Sequence, residues 1–269
     1  MFNKQPGGET HLALTHSTHP SLPGLDVVGP YRRVVLEYSG EMFRGKREHG
    51  IHWEFLMEQV VPEIIDAITN TGVQMLIVPG GGNFMRGASL ARHGARRVTA
   101  DKAGMRATEM NGIFLRDAFI ESGWPEGKVV LQSRIQSDIE TYHLESCLAR
   151  LNRDQIVILC GGTGLPMATT DKAAIQLAAE TECGAVLKAT KVDGIYDSDP
   201  ATNPGANKHN EVDYLTALTN PEMNFMDNPA LALAMEHPID TIVFDPLPPG
   251  NIRKVIQRDP TVGSIMRAA

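Results

Sequence analysis

The chain has 269 residues, with 25 Lys+Arg against 32 Asp+Glu and a formal net charge of −7. That length is enough to bury a full core in one large α/β domain or two small ones. The mild acidity argues against a surface that coats nucleic acid, yet a few placed groups can still grip a phosphorylated small molecule.

No apolar run approaches the roughly 20 residues that span a bilayer, and residues 1–20 contain no apolar core of a secretory signal. Cys147, Cys160 and Cys183 lie inside apolar segments and are not at metal-ligand spacing. They read as buried thiols, and the expectation is a soluble, cytoplasmic enzyme.

Residues 1–30 read as a flexible tail, because Pro6, Pro20, Pro23 and Pro30 alternate with Gly7, Gly8, Gly24 and Gly29 without hydrophobic periodicity. His11, His16 and His19 fall within it without carboxylate partners, so a solvated tail is a better reading than a metal site. From Tyr31 the pattern alternates. Apolar runs at 34–36, 75–78, 129–131, 156–159, 185–187 and 241–244 predict strands buried on both faces of a mostly parallel sheet. Helical patterns cover 53–70, 102–122, 144–152 and 170–183, and Pro62 should kink or restart the first. The alternation predicts an α/β fold, a central sheet with helices on both sides. Residues 193–209 are rich in Asp, Asn, Pro and Gly and predict a long surface loop.

Three of these strands run directly into glycine: Ser39-Gly40, Gly80-Gly81-Gly82 and Gly161-Gly162-Thr163-Gly164. All three loops fall at carboxyl ends of strands, where open α/β sheets bind ligands. Glycine lets backbone approach an oxygen-rich ligand, and amides at a helix start attract phosphate. One such loop is weak evidence, since tight turns need glycine for steric reasons alone. Three on one edge favour phosphate binding. Neither a G-x-x-x-x-G-K-[ST] loop nor a G-x-G-x-x-G opening is present, so a P-loop and a dinucleotide fold are not indicated. Arg86 is placed to fork onto a phosphate, Asp101 reads as opening a helix, and Thr169-Thr170-Asp171 repeats a cap pattern. Lys188, Lys191, Asp193, Tyr196 and Asp199 gather cations, carboxylates and a ring in 13 positions that start at Lys188 and end at Pro200, a mixture suited to a nucleotide triphosphate with its metal ion.

These blocks (YRRVVLEYSGEMF, VPGGGNFMRGA, RRVTADKAGMRATEMNG, CGGTGLPMATTDKAA, VLKATKVDGIYDSDP and PPGNIRKVI) resemble, in order, those of the bacterial-type uridylate (UMP) kinases of the amino-acid kinase superfamily. The resemblance runs from about Tyr31 to Met266. It implies an αβα sandwich over 31–269, hexameric, with the acceptor monophosphate on the N-terminal half, ATP on the C-terminal half and Mg²⁺ between. Carried over by position, Ser39, Gly40 and Asp171 are the expected catalytic positions, with Asp171 serving the magnesium-phosphate centre. Gly81, Gly82, Arg86, Asp101, Thr163, Gly164 and Thr170 are expected at the acceptor, and Lys188, Thr190, Tyr196 and Asp199 at ATP.

Three positions depart from the family pattern. Glu37 replaces the lysine of K-L-S-G-E, which should slow phosphoryl transfer. Leu165, Met167 and Ala168 replace an asparagine and two aromatics near the acceptor base. Asp245 replaces an asparagine. Lys102 and Lys172 are candidates to restore the missing charge, though both read more naturally as exposed helix positions. The alternative function is a non-catalytic relative that binds a nucleotide or oxyanion as a regulator, scaffold or store.

Overall fold

The computed structural model describes residues 27–85, 90, 92–223, 225–237 and 239–267. The histidines of residues 1–26 and Arg86 lie outside these residues. Where the description begins, the chain already rests on the body: the Val28 N–H donates to Thr71 O at 2.9 Å. Tyr31 follows, buried, its hydroxyl donating to Asp240 at 2.6 Å.

A nine-stranded sheet divides the molecule in the spatial order β4-β3-β5-β2-β1-β6-β10-β11-β9. Its centre is β1 (Arg33–Tyr38), β2 (Gln74–Pro79), β5 (Ile156–Cys160), β6 (Ala185–Ala189) and β10 (Asp240–Phe244). β3 (Val129–Ser133) and β4 (Glu140–Thr141) extend one edge; β9 (Glu211–Asp213) and β11 (Ser264–Arg267) close the other. All pairings are parallel except β10 with β11. The six apolar runs of the sequence are β1, β2, β3, β5, β6 and β10. β-branched and aliphatic side chains fill both faces, as a sheet covered on two sides requires.

Alternate residues feed two cores. Val34, Leu36 and Tyr38 join one core with Leu56, Val60, Val61 and Ile64, and with Leu115 and Phe119 of α3 (Arg97–Glu121) and Val255 and Ile256 of α8 (Asn251–Ile256). Val35, Leu76, Val78 and Val186 face the other core. There they meet α4 (Leu144–Leu151), α5 (Thr170–Glu180), α6 (Tyr214–Thr219) and α7 (Asn228–Glu236). The result is the expected αβα sandwich. Cys147, Cys160 and Cys183 are buried free thiols in these cores.

The helix expected over 53–70 is three pieces, α1 (Trp53–Phe55), a π turn (Leu56–Val60) and α2 (Val61–Thr71). Pro62 falls in the first turn of α2, so it restarts the helix rather than kinking it. The helix expected from 102 begins at Arg97. This corrects the reading of Asp101, which sits one turn inside α3 and caps nothing. Residues 193–209 are not a plain loop either. β7 (Ile195–Tyr196) and β8 (Lys208–His209) pair antiparallel in a small sheet of their own. Alternating Asp and Asn hid two-residue strands too short to show a period.

Candidate active site

At the carboxyl edge of the central strands the three glycine loops and the N-terminal half of α3 enclose a cavity of about 560 Å³. Ser39, Gly40, Gly81, Gly82, Asp101, Thr163, Thr170, Asp171, Lys188 and Thr190 all line it. Gly164 instead lines a neighbouring cavity with Lys102 and Arg106. Tyr196 and Asp199 line neither. Tyr196 donates to Asp193 at 2.7 Å, and Asp199 accepts the Ala201 N–H at 2.9 Å in a turn. Lys172 is not on the wall of either cavity, and Lys102 is exposed.

The first two loops meet backbone on backbone. A Cβ on Gly80 would stand 2.6 Å from the amide nitrogen of Gly40, and one on Gly81 2.9 Å from the carbonyl oxygen of Gly104. Only glycine allows that approach. α3 holds these loops with a polar inner face, which is why it shows little amphipathic contrast in the sequence. Asn111 and Asn83 are fully buried and exchange reciprocal amide bonds of 2.7 and 2.9 Å. Asn111 also donates to Gly80 O at 2.6 Å, and Asn83 to Gly50 O at 2.9 Å. One turn earlier on α3, Thr108 accepts the Gly161 N–H at 2.8 Å and so ties down the third loop. Gly161, Gly162 and Gly164 in that loop take positive φ of 81°, 59° and 79°, which suits glycine.

Asp101 is a receptor of donors. Arg97 Nε reaches both its oxygens, at 2.7 and 2.8 Å, and the Met167 N–H donates to Oδ2 at 2.9 Å. Arg97 also lines the cavity. The sequence reading missed it, although its i,i+4 spacing to Asp101 on one helix face was a usable signal. Leu165 and Met167 are 69% and 62% exposed at the rim.

The floor of the cavity carries the charges. Glu37 and Lys188 are opposite one another in the register of β1 and β6, on the face turned to α5. They continue, at the strand ends, the columns begun by Val35 and Val186. Lys188 Nζ lies 3.4 Å from each Glu37 oxygen and makes a close ion pair with Asp171 Oδ1. Asp171 is in the first turn of α5, where Thr169 accepts the Lys172 N–H, and its Oδ2 accepts the Asp227 N–H at 3.3 Å. Burial and then the charge of Asp171 push the Glu37 acid well up. Burial also opposes ionisation of Asp171, but Lys188 and hydrogen bonds from Glu37 and the Asp227 amide outweigh it and hold Asp171 low. Lys188 therefore sits on the floor between two carboxyl groups, beside the loops rather than with Tyr196, and Glu37 is no lone anion.

The Amino acid kinase family model matches residues 32–245. A uridylate kinase of Aeromonas salmonicida (strain A449) is 39% identical over 230 residues, covering 86% of this chain and 93% of the relative. The crystal structure of UMP kinase from Bacillus anthracis superposes with a TM-score of 0.81 at 29% identity, covering 88% of this chain and 96% of that one. The UMP kinase of Ureaplasma parvum gives 0.79 at 30% identity, with 88% and 99% covered. The chain belongs to the amino acid kinase family, as a phosphotransferase of the bacterial uridylate kinase type.

Proposed function

We propose that the chain transfers the γ-phosphoryl group of ATP to UMP, giving ADP and UDP. The observation that carries this reading is the convergence of three glycine loops, Asp101 and the Asp171–Lys188 pair on one cavity. The names of its relatives, uridylate kinase and UMP kinase, supply the acceptor, and the resemblance supplies ATP as the donor. The N-terminal half, through Gly81, Gly82 and Asp101, receives the acceptor with Thr163 and Thr170 opposite; Arg86, which the resemblance adds, lies outside the described residues. Lys188 and Thr190 face the donor; Tyr196 and Asp199, which the resemblance also assigns to it, lie off the cavity wall. Ser39 and Gly40 lie along the path of the transferred group.

The donor set fits Mg²⁺. Among the described residues no group of three or more His, Cys, Asp and Glu forms a cage. Mg²⁺ does not need one beside a nucleotide, since it keeps waters and takes one or two carboxylates plus phosphate oxygens. Asp171 on the cavity floor would hold it, and the ion would neutralise charge on the phosphates. Exposed Met110, Ile113 and Phe114 on α3 offer an apolar face for the homo-oligomer, a hexamer, that the resemblance implies. Among the described residues no helix is long and apolar enough to cross a membrane.

The test is UMP-dependent ADP release from ATP·Mg²⁺, expected in the range of about 1–100 s⁻¹ for a kinase. Glu37 beside Asp171 favours a second reading, a chain that binds nucleotide without turnover. Thermal stabilisation by ATP with no ADP release would establish it.

A further inference from the structure

We infer that Lys188 is the cation that meets the transferring phosphoryl group, and that Glu37 opposite it is its positioning residue. The inference rests on the kinase reading above and names the charge that reaction needs.

Position 37 holds a carboxyl group where the family pattern has a lysine, so the charge must come from elsewhere on the cavity wall. Among the described residues, Arg97 and Lys188 are the arginine and lysine that line it. Arg97 is engaged through Nε with both oxygens of Asp101. Lys188 is on the floor with Gly40, Gly81 and Gly82 around the same space. Its side chain is only 13% exposed and that of Glu37 4% exposed, so the pair acts where water screens little. Glu37 is fixed by β1, Asp171 by α5 and Lys188 by β6. The ammonium is thus held from three elements, with its flexible stem constrained between two carboxyl groups.

In the transfer, a non-bridging oxygen of the acceptor phosphate forms a bond to the γ-phosphorus. The bond from that phosphorus to the β–γ bridging oxygen breaks, and the oxygen leaves on ADP with the electron pair. No proton has to move. Negative charge spreads over the equatorial oxygens between the two nucleotides, and stabilising it is what a cation at this place does. Lys188 exchanges one carboxyl contact for a phosphoryl oxygen, while the other contact keeps it aimed.

The experiment is steady-state kinetics on the full chain with ATP·Mg²⁺ and UMP. Calorimetric ATP binding without metal and thermal melting serve as separate readouts. Lys188→Met is expected to lower kcat by ~10³-fold and, because it leaves two largely buried carboxyl groups without their ammonium, to lower the melting temperature as well; Lys188→Arg, which keeps the charge, is expected to recover part of both losses. Glu37→Gln is expected to lower kcat about tenfold at unchanged KM for UMP. The exchange Glu37→Lys with Lys188→Glu should recover at least about tenfold over Lys188→Glu alone, because an ammonium then reaches the same space from β1. Natural kcat in Lys188→Met overturns the catalytic assignment, and a kcat above the natural value in Glu37→Gln overturns the positioning role. If only Glu37→Lys turns over, the inference fails and the scaffold remains a kinase. If neither it nor the natural chain turns over while both bind ATP, the kinase reading itself fails.

Discussion

Gly40 and Gly82 lie so close that a single methyl group on Gly40 would run into the amide nitrogen of Gly82, with Gly80 O only 2.8 Å away. The first two glycine loops therefore meet backbone on backbone. Gly40→Ala is expected to push them apart and lower kcat/KM by at least ~10²-fold, the loss that follows a misplacement of about an ångström. Gly112→Ala is the contrast. Its Cβ would strike Cys160 Sγ and stand 2.8 Å from Leu131, away from the cavity wall. Overpacking there should destabilise by about 1–3 kcal/mol and leave kcat/KM near natural. Melting curves and kinetics on both variants check the separation; equal kinetic losses would contradict it.

The Asn83–Asn111 exchange is the clamp that holds the second loop on α3. Asn111→Ala removes three hydrogen bonds and leaves the Asn83 amide and Gly80 O buried without those partners. A loss of about 2–3 kcal/mol is expected, since an orphaned buried polar group costs more than a bond contributes. In a protein of this size that lowers Tm by roughly 5–10 °C. The double variant with Asn83→Ala should lose less than the sum of the singles, because the two amides act as one unit. Additive losses in denaturant melts would show that the clamp is not cooperative.

How much of this was legible follows from distance along the chain. Continuous apolar runs announced β1, β2, β3, β5, β6 and β10, and the glycines after them announced the edge where the cavity lies. β9 and β11 were not announced. Each is short, and β11 takes its place only by pairing with β10 and β9, partners that no local pattern reveals. The same holds in the site. Arg97 and Asp101 are four residues apart and were readable as a helical pair. Glu37 and Lys188 are 151 residues apart, so Glu37 read as an uncompensated anion until the register of β1 and β6 set an ammonium against it.

Acceptor choice should be loose. The rim carries Leu165 and Ala168 on the cavity wall, and Met167 points its side chain outward while its N–H is held by Asp101. Among the described residues of the cavity wall, no side-chain amide stands there to read the edge of a pyrimidine. Apolar contacts discriminate by about 10–200-fold, whereas a hydrogen-bonding site reaches about 10⁴–10⁵. The ratio of kcat/KM for UMP over CMP is therefore expected within ~10², and Leu165→Asn should raise it. A natural ratio near that upper range would mean that backbone groups or residues outside the described set do the reading.

The third glycine loop leans on a carboxylate that links the stability of the site to pH. Gly164 packs on Arg134, whose carbonyl oxygen would stand 2.9 Å from a Cβ there. Arg134 in turn grips both oxygens of Glu180, which also accepts from Tyr142 and Gln176, each at 2.8 Å. Burial alone would raise the Glu180 pKa, but these donors outweigh it and hold it below the ordinary carboxylate range. A depressed pKa means that the contribution is complete above the unfolded value of about 4.3 and disappears as pH falls through the lower folded value. Glu180→Gln should therefore destabilise by about 2 kcal/mol at pH 7, a figure kept modest because the pair is partly solvated. The difference in Tm between the two proteins should shrink steadily below about pH 4, where the natural carboxylate takes up a proton. Melting both chains between pH 7 and 3 measures it. A gap independent of pH would assign the loss to packing of the side chain rather than to its charge.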